Sequence, residues 1–173
     1  MVVGPPSLAW ADEERTVAGD LTSPWFHVGG GAALQFPFDV ESGFGEPIDP
    51  AGRLTIGGGW YTFMFYVGGG ADFTFGPLSP FQLSGVVTLG MAIPVPVMHP
   101  LIGFRAGGGP HLSGDPLLPN ADPHWTLGPQ IGFILRTFDG KPGFRLMFDF
   151  ANVGWPEQGR NHGEFTVTAA GVF

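Results

Sequence analysis

The chain contains no cysteine, so neither a disulfide framework nor a thiolate metal site can hold it together. It is also poor in charge. Charged residues make up 13% of its 173 positions, against roughly 25% in an ordinary soluble domain, too few to clothe an exterior in water. Lys and Arg number 7 and Asp and Glu 15, for a net charge of −8, a balance that argues against nucleic acid as a partner. Long hydrophobic runs are missing as well. A membrane-spanning helix needs about 18 or more consecutive apolar residues, and the longest apolar stretch, 86–98, is broken by Pro94 and Pro96.

What the chain does have is apolar surface in short pieces. Hydrophobic residues make up 43% and aromatics 14%, with 30 Gly and 17 Phe. In lipid only helices and closed barrels satisfy every backbone polar group. With a membrane helix excluded, an apolar exterior of this kind points to a closed β-barrel.

Alternation with a period of two is the strongest pattern. Near the end, Phe165, Val167, Ala169, Gly171 and Phe173 share one face, and Glu164, Thr166, Thr168 and Ala170 the other. Before that, Phe144, Leu146, Phe148 and Phe150 oppose Arg145, Met147, Asp149 and Ala151. The same reading gives segments at 25–36, 81–93, 101–111 and 125–138. The region 53–75 is too long for one strand and divides near 63–65, although no turn residue marks the place. The result is eight segments near the 9–11 residues that cross a membrane obliquely. The fold class expected is all-β, an eight-stranded antiparallel up-and-down transmembrane β-barrel over 24–173. Its outer loops are then 37–52, 76–80, 111–124 and 156–162. Its short turns lie near 64, 94–98 and 139–143, where Asp139-Gly140-Lys141-Pro142-Gly143 is a strong turn signal.

Aromatics gather at the segment ends: Trp25, Trp60, Tyr61, Phe75, Phe81, Trp125, Phe138, Phe144, Trp155, Phe165 and Phe173. Rings at both water–lipid borders form girdles, though aromatics also favour strands in general. Glycine triplets stand at 29–31, 57–59, 68–70 and 107–109. Glycine inside a strand marks a bend that tightens a barrel, or leaves room for a large inward neighbour. Residues 1–11 end in Leu8-Ala9-Trp10-Ala11, a small-x-small pattern like the tail of an export signal. Residues 12–23 would then be a short periplasmic segment ahead of the barrel.

These segments, the opening Val28-Gly29-Gly30-Gly31-Ala32 and the ending Phe165 to Phe173 resemble the small outer-membrane β-barrel proteins of the OmpA/OmpX-like kind, over about residues 24–173. The resemblance implies a monomer in the bacterial outer membrane, in contact with its lipid and lipopolysaccharide. It also implies that Phe173 is the terminal aromatic through which the barrel assembly machinery recognises the last strand. The role implied is non-enzymatic, in envelope structure or in adhesion through the outer loops.

The polar face carries the candidate site. Arg53, Arg105, Arg136 and Arg145 fall on it, as do Asp72, Asp149 and Glu164 on other segments. An eight-stranded interior is only wide enough for side chains to fill, so a packed network of ion pairs is expected there rather than an open conduit. A catalytic alternative is His111-Leu112-Ser113, whose first and third residues share a strand face as base and nucleophile. With Asn120 downstream this is similar to outer-membrane lipid A deacylases. It departs from them at Gly114, where that family carries Asn, and in having three strands still to follow. The third alternative is a soluble lipocalin-like binding barrel, which would place its apolar face inward. The five histidines show no ligand spacing, and acidic 37–52 matches no calcium loop. No metal and no cofactor are expected.

Overall fold

A computed structural model describes residues 24–37, 49–62, 64–76, 81–93, 98–112, 121–135, 143–156 and 160–173. They form eight strands: β1 (Pro24–Pro37), β2 (Asp49–Thr62), β3 (Phe65–Phe75), β4 (Phe81–Ala92), β5 (Met98–Leu112), β6 (Ala121–Leu135), β7 (Gly143–Trp155) and β8 (Arg160–Val172). Each pairs antiparallel with its sequence neighbour, and β8 returns to β1 to close the barrel. The β1–β8 seam runs from His27 opposite Val172 to Pro37 opposite His162. Beyond it, Phe26 and Phe173 exchange two backbone hydrogen bonds, of 3.1 and 2.9 Å. Closure leaves no exposed strand edge, which is how a barrel avoids pairing with other chains.

The division of 53–75 falls where the alternation placed it, with β2 ending at Thr62 and β3 starting at Phe65. The strands are longer than expected, 11 to 15 residues. β2 begins at Asp49, β5 runs to Leu112, β6 begins at Ala121 and β8 at Arg160, so the loops expected at 37–52, 111–124 and 156–162 are shorter. Proline misled the reading here. Pro110 and Pro123 stand opposite each other in the β5–β6 register and both are exposed. Each gives up one ladder hydrogen bond but continues the alternation. The segments 1–11 and 12–23 lie outside the described residues.

The two faces are inverted relative to a protein with an apolar core. Phe26, Leu54, Val67, Val87, Leu89, Ile102, Phe104, Leu127, Ile131 and Phe150 point outward and are 45 to 64% exposed. Every charged strand residue whose side chain is described belongs to the inward set: Asp49, Arg53, Asp72, Arg105, Arg145, Asp149 and Glu164. The largest apolar cluster inside lies at the end at which β1 starts and β8 finishes, here called the base. There Trp25, Tyr66, Ala92, Leu101, Ile134, Met147 and Val172 form one buried cluster. Above it, toward the opposite rim, the interior is mainly polar, with Ala33, Ala51, Ala151 and Val153 among its buried apolar residues.

Two glycine recesses seat the large rings of this cluster. A Cβ at Gly68 would come within 2.8 Å of the Trp25 ring, and one at Gly90 or Gly103 within 2.6 Å of Tyr66. Room for inward side chains is therefore one of the uses of glycine here. Trp25 also corrects the girdle expectation. It is 5% exposed and turned inward, stacked on His27 with ring centroids 5.0 Å apart. Trp155 is half-buried and stacks on His162 at 4.8 Å. Trp60, Phe75, Phe81, Trp125, Phe144 and Phe173 do face outward.

Candidate functional site in the barrel interior

Five strands deliver the interior charges because each places its charged residue on the parity that faces the axis. Arg53 comes from β2, Asp72 from β3, Arg105 from β5, Arg145 and Asp149 from β7, and Glu164 from β8. None is more than 6% exposed.

Arg53 donates to Glu164 and, through Nε, to Thr74 Oγ1 at 3.3 Å, and its Nη1 lies 3.9 Å from Asp72. Arg105 donates to Asp72, and its Nη1 lies 3.7 Å from Asp149. The carboxylates and guanidiniums thus alternate in a chain: Glu164, Arg53, Asp72, Arg105, Asp149. Glu164 also accepts from Gln35 Nε2 at 3.2 Å and from Thr166 Oγ1 at 3.3 Å. Buried charges are stable only when paired and hydrogen-bonded in this manner, since taking each ion out of water costs several kcal/mol.

Arg145 sits apart from that chain. Its Nη1 lies 3.3 Å from His27 Nδ1, which accepts, and its Cζ lies 5.1 Å from the centre of the Trp25 ring. A guanidinium over an indole face is attracted by the ring quadrupole. His27 Nε2 in turn lies 3.3 Å from Thr55 Oγ1. Below, Gln130 Nε2 donates to the Tyr66 hydroxyl at 2.6 Å, joining the polar layer to the apolar base.

Of the residues read from sequence, Arg53, Asp72, Arg105, Asp149 and Glu164 meet in one chain and Arg145 adjoins it. Arg136 lies outside the described residues. Ser113 does too, and only the backbone of His111 is described, in β5 opposite Gln82 and Asp122. Sequence reasoning missed a different pair. Ser84 Oγ and His124 Nε2 are 2.8 Å apart near the rim. His124, within the loop expected at 111–124, is 4% exposed inside β6. Its parity with Thr126 and Gln130 was the available signal. A serine hydroxyl on a histidine nitrogen is the geometry of an activated nucleophile. Here both residues are buried, so the contact satisfies two buried polar groups. Among the described residues no group of His, Asp and Glu could hold a metal ion.

The cavity between the ion chain and the base is about 30 Å³. Sites for small organic ligands are roughly ten or more times larger and mostly apolar. The fold and its interior therefore define a closed, side-chain-filled eight-stranded up-and-down β-barrel with its apolar face outward. No model of a known protein family matches the chain, and no curated protein matches it.

Proposed function

We propose that the chain is a small outer-membrane β-barrel protein with a non-enzymatic role in envelope structure or in interactions made by the segments joining its strands at the rim. The observation that carries this reading is the inversion of the two faces. A soluble barrel exposing this much contiguous apolar wall would aggregate, since monomeric soluble proteins rarely show patches beyond a few hundred Å². The wall has the right height. On β4 the outward residues from Phe81 to Met91 span ten residue steps, about 33 Å at about 3.3 Å each. A tilt near 45° reduces this to about 23 Å, close to the apolar band of roughly 25 Å on barrels of this type.

The interior argues against a lipocalin-like role, because its centre is ionic and its cavity too small for such a ligand. Lipid and lipopolysaccharide are the proposed surroundings, and the barrel is proposed to act as a monomer. Phe173 is proposed as the contact for the barrel assembly machinery. It closes the β1–β8 seam through its backbone while its ring stays 69% exposed.

The test is heat-modifiable migration on SDS gels of protein taken from an outer-membrane fraction. The unboiled band is expected to run faster than the boiled one. A soluble protein with no band shift would overturn the proposal.

A further inference from the structure

The buried charges of the described strands balance, three guanidiniums against three carboxylates, but the pairing does not. Arg53 and Arg105 serve Asp72, Glu164 and Asp149. Arg145 has no carboxylate within 4 Å among the described residues, and Asp149 has a single ionic contact, at 3.7 Å. The imbalance is local, one charge too negative along the chain and one too positive at Arg145.

Both unmatched groups line the same 30 Å³ cavity, with Thr88, Arg105, His27 and Asp72. Four buried polar atoms among these residues find no hydrogen-bond partner in the protein: Asp149 Oδ1, Thr88 Oγ1, Arg105 Nε and Arg145 Nε. Two are guanidinium donors, one is a carboxylate acceptor, and the hydroxyl can be either. Leaving such groups unsatisfied costs about 1–3 kcal/mol each, and more for charged ones. The volume exceeds the roughly 10–15 Å³ needed to hold a water, and a water wants two to four polar partners.

We propose that this cavity is an internal hydration site in which water joins Asp149 to Arg145, making the separate ionic groups one network. Water accepts from a guanidinium N–H and donates to Asp149 Oδ1 and Thr88 Oγ1, so it matches both kinds of orphan at once. A halide would face Asp72 and Asp149 and would unbalance a buried set of charges that is already neutral. An alkali cation would face Arg105 and Arg145 and do the same.

The experiment is a high-resolution crystal structure of the folded full chain, with separate crystals soaked in bromide and in rubidium. The expected result is an oxygen-sized peak at about 2.7–3.2 Å from both Asp149 Oδ1 and an Arg145 nitrogen, without anomalous signal in either soak. An anomalous peak from either ion, a dry cavity, or a direct Arg145–Asp149 contact would each overturn the inference. In detergent solution, nuclear Overhauser contacts from long-lived water to the Thr88 and Met147 methyl groups are expected. Their absence counts against it as well.

Discussion

Replacing Val87 by Arg separates a lipid-facing wall from a water-facing one by the sign and size of a single number. Val87 lies midway along β4, between Gly69 of β3 and Ala106 of β5. It is 60% exposed, so the longer side chain meets no packing obstacle. If the wall faces water, an exposed substitution of this kind changes stability by no more than about 0.5 kcal/mol. If it faces lipid at mid-depth, the guanidinium must be held in hydrocarbon, which costs about 2–4 kcal/mol on a membrane barrel. At 1.36 kcal/mol per factor of ten, that lowers the folding equilibrium constant by roughly 30- to 1,000-fold. The assay is reversible urea unfolding in phospholipid vesicles, read by the protease resistance of the folded barrel. Depth supplies an internal control. The same change at Phe81 or Ile93, at the two ends of the β4 wall, is expected to cost about 0–1 kcal/mol. A cost below 0.5 kcal/mol at Val87, or one independent of position along β4, would refute the reasoning.

Arg53→Met leaves Glu164 without its guanidinium, and breaking a buried pair from one side costs about 3–5 kcal/mol. Adding Glu164→Leu should recover much of that loss, as measured in the same unfolding assay. Gly103→Ala puts a methyl where the Tyr66 hydroxyl would lie 2.6 Å away. It should destabilise by about 1–3 kcal/mol through overpacking, visible as a lower temperature for the gel-band shift. Deleting Phe173 removes two backbone hydrogen bonds at the seam. It should reduce the amount of barrel assembled in cells far more than the stability of barrel refolded in detergent, and equal losses in both would argue against a recognition role.

The barrel was legible because one face of each strand is nearly pure Phe, Leu, Val and Ile, and a period of two cannot be mistaken over so many residues. The parity also placed Arg53, Asp72, Arg105, Arg145, Asp149 and Glu164 on one face. Which of them pair was not legible, because that depends on the stagger between strands that are distant in sequence, such as β2 and β8. Trp25 and His124 show where local cues won wrongly over parity. Trp25 stands at a strand end, where a ring also suits a girdle, although it shares its parity with His27. His124 follows Pro123, a residue that locally signals a loop. The strand ends at 49–52 and 121–124 were lost for the same reason, since proline and acidic residues there resemble turns while the ladder continues through them.

The glycine triplets of β2 and β3 lie directly against each other, Gly57 opposite Gly70, Gly58 opposite Gly69 and Gly59 opposite Gly68. Side chains define register, and a two-residue slip would preserve the inward and outward parity of both strands. Over this stretch the two triplets carry no side chains of their own to reject such a slip. Correct alignment must come from the flanks, from Trp60 against Val67 and Leu54 against Phe73, and from the ring itself. In a closed ring the staggers of all eight seams must sum to a fixed total. A slip at β2–β3 could survive only with an opposite slip elsewhere, where Phe, Leu and Ile would resist it. Closure therefore proofreads a hairpin whose middle carries no side chains to check its alignment.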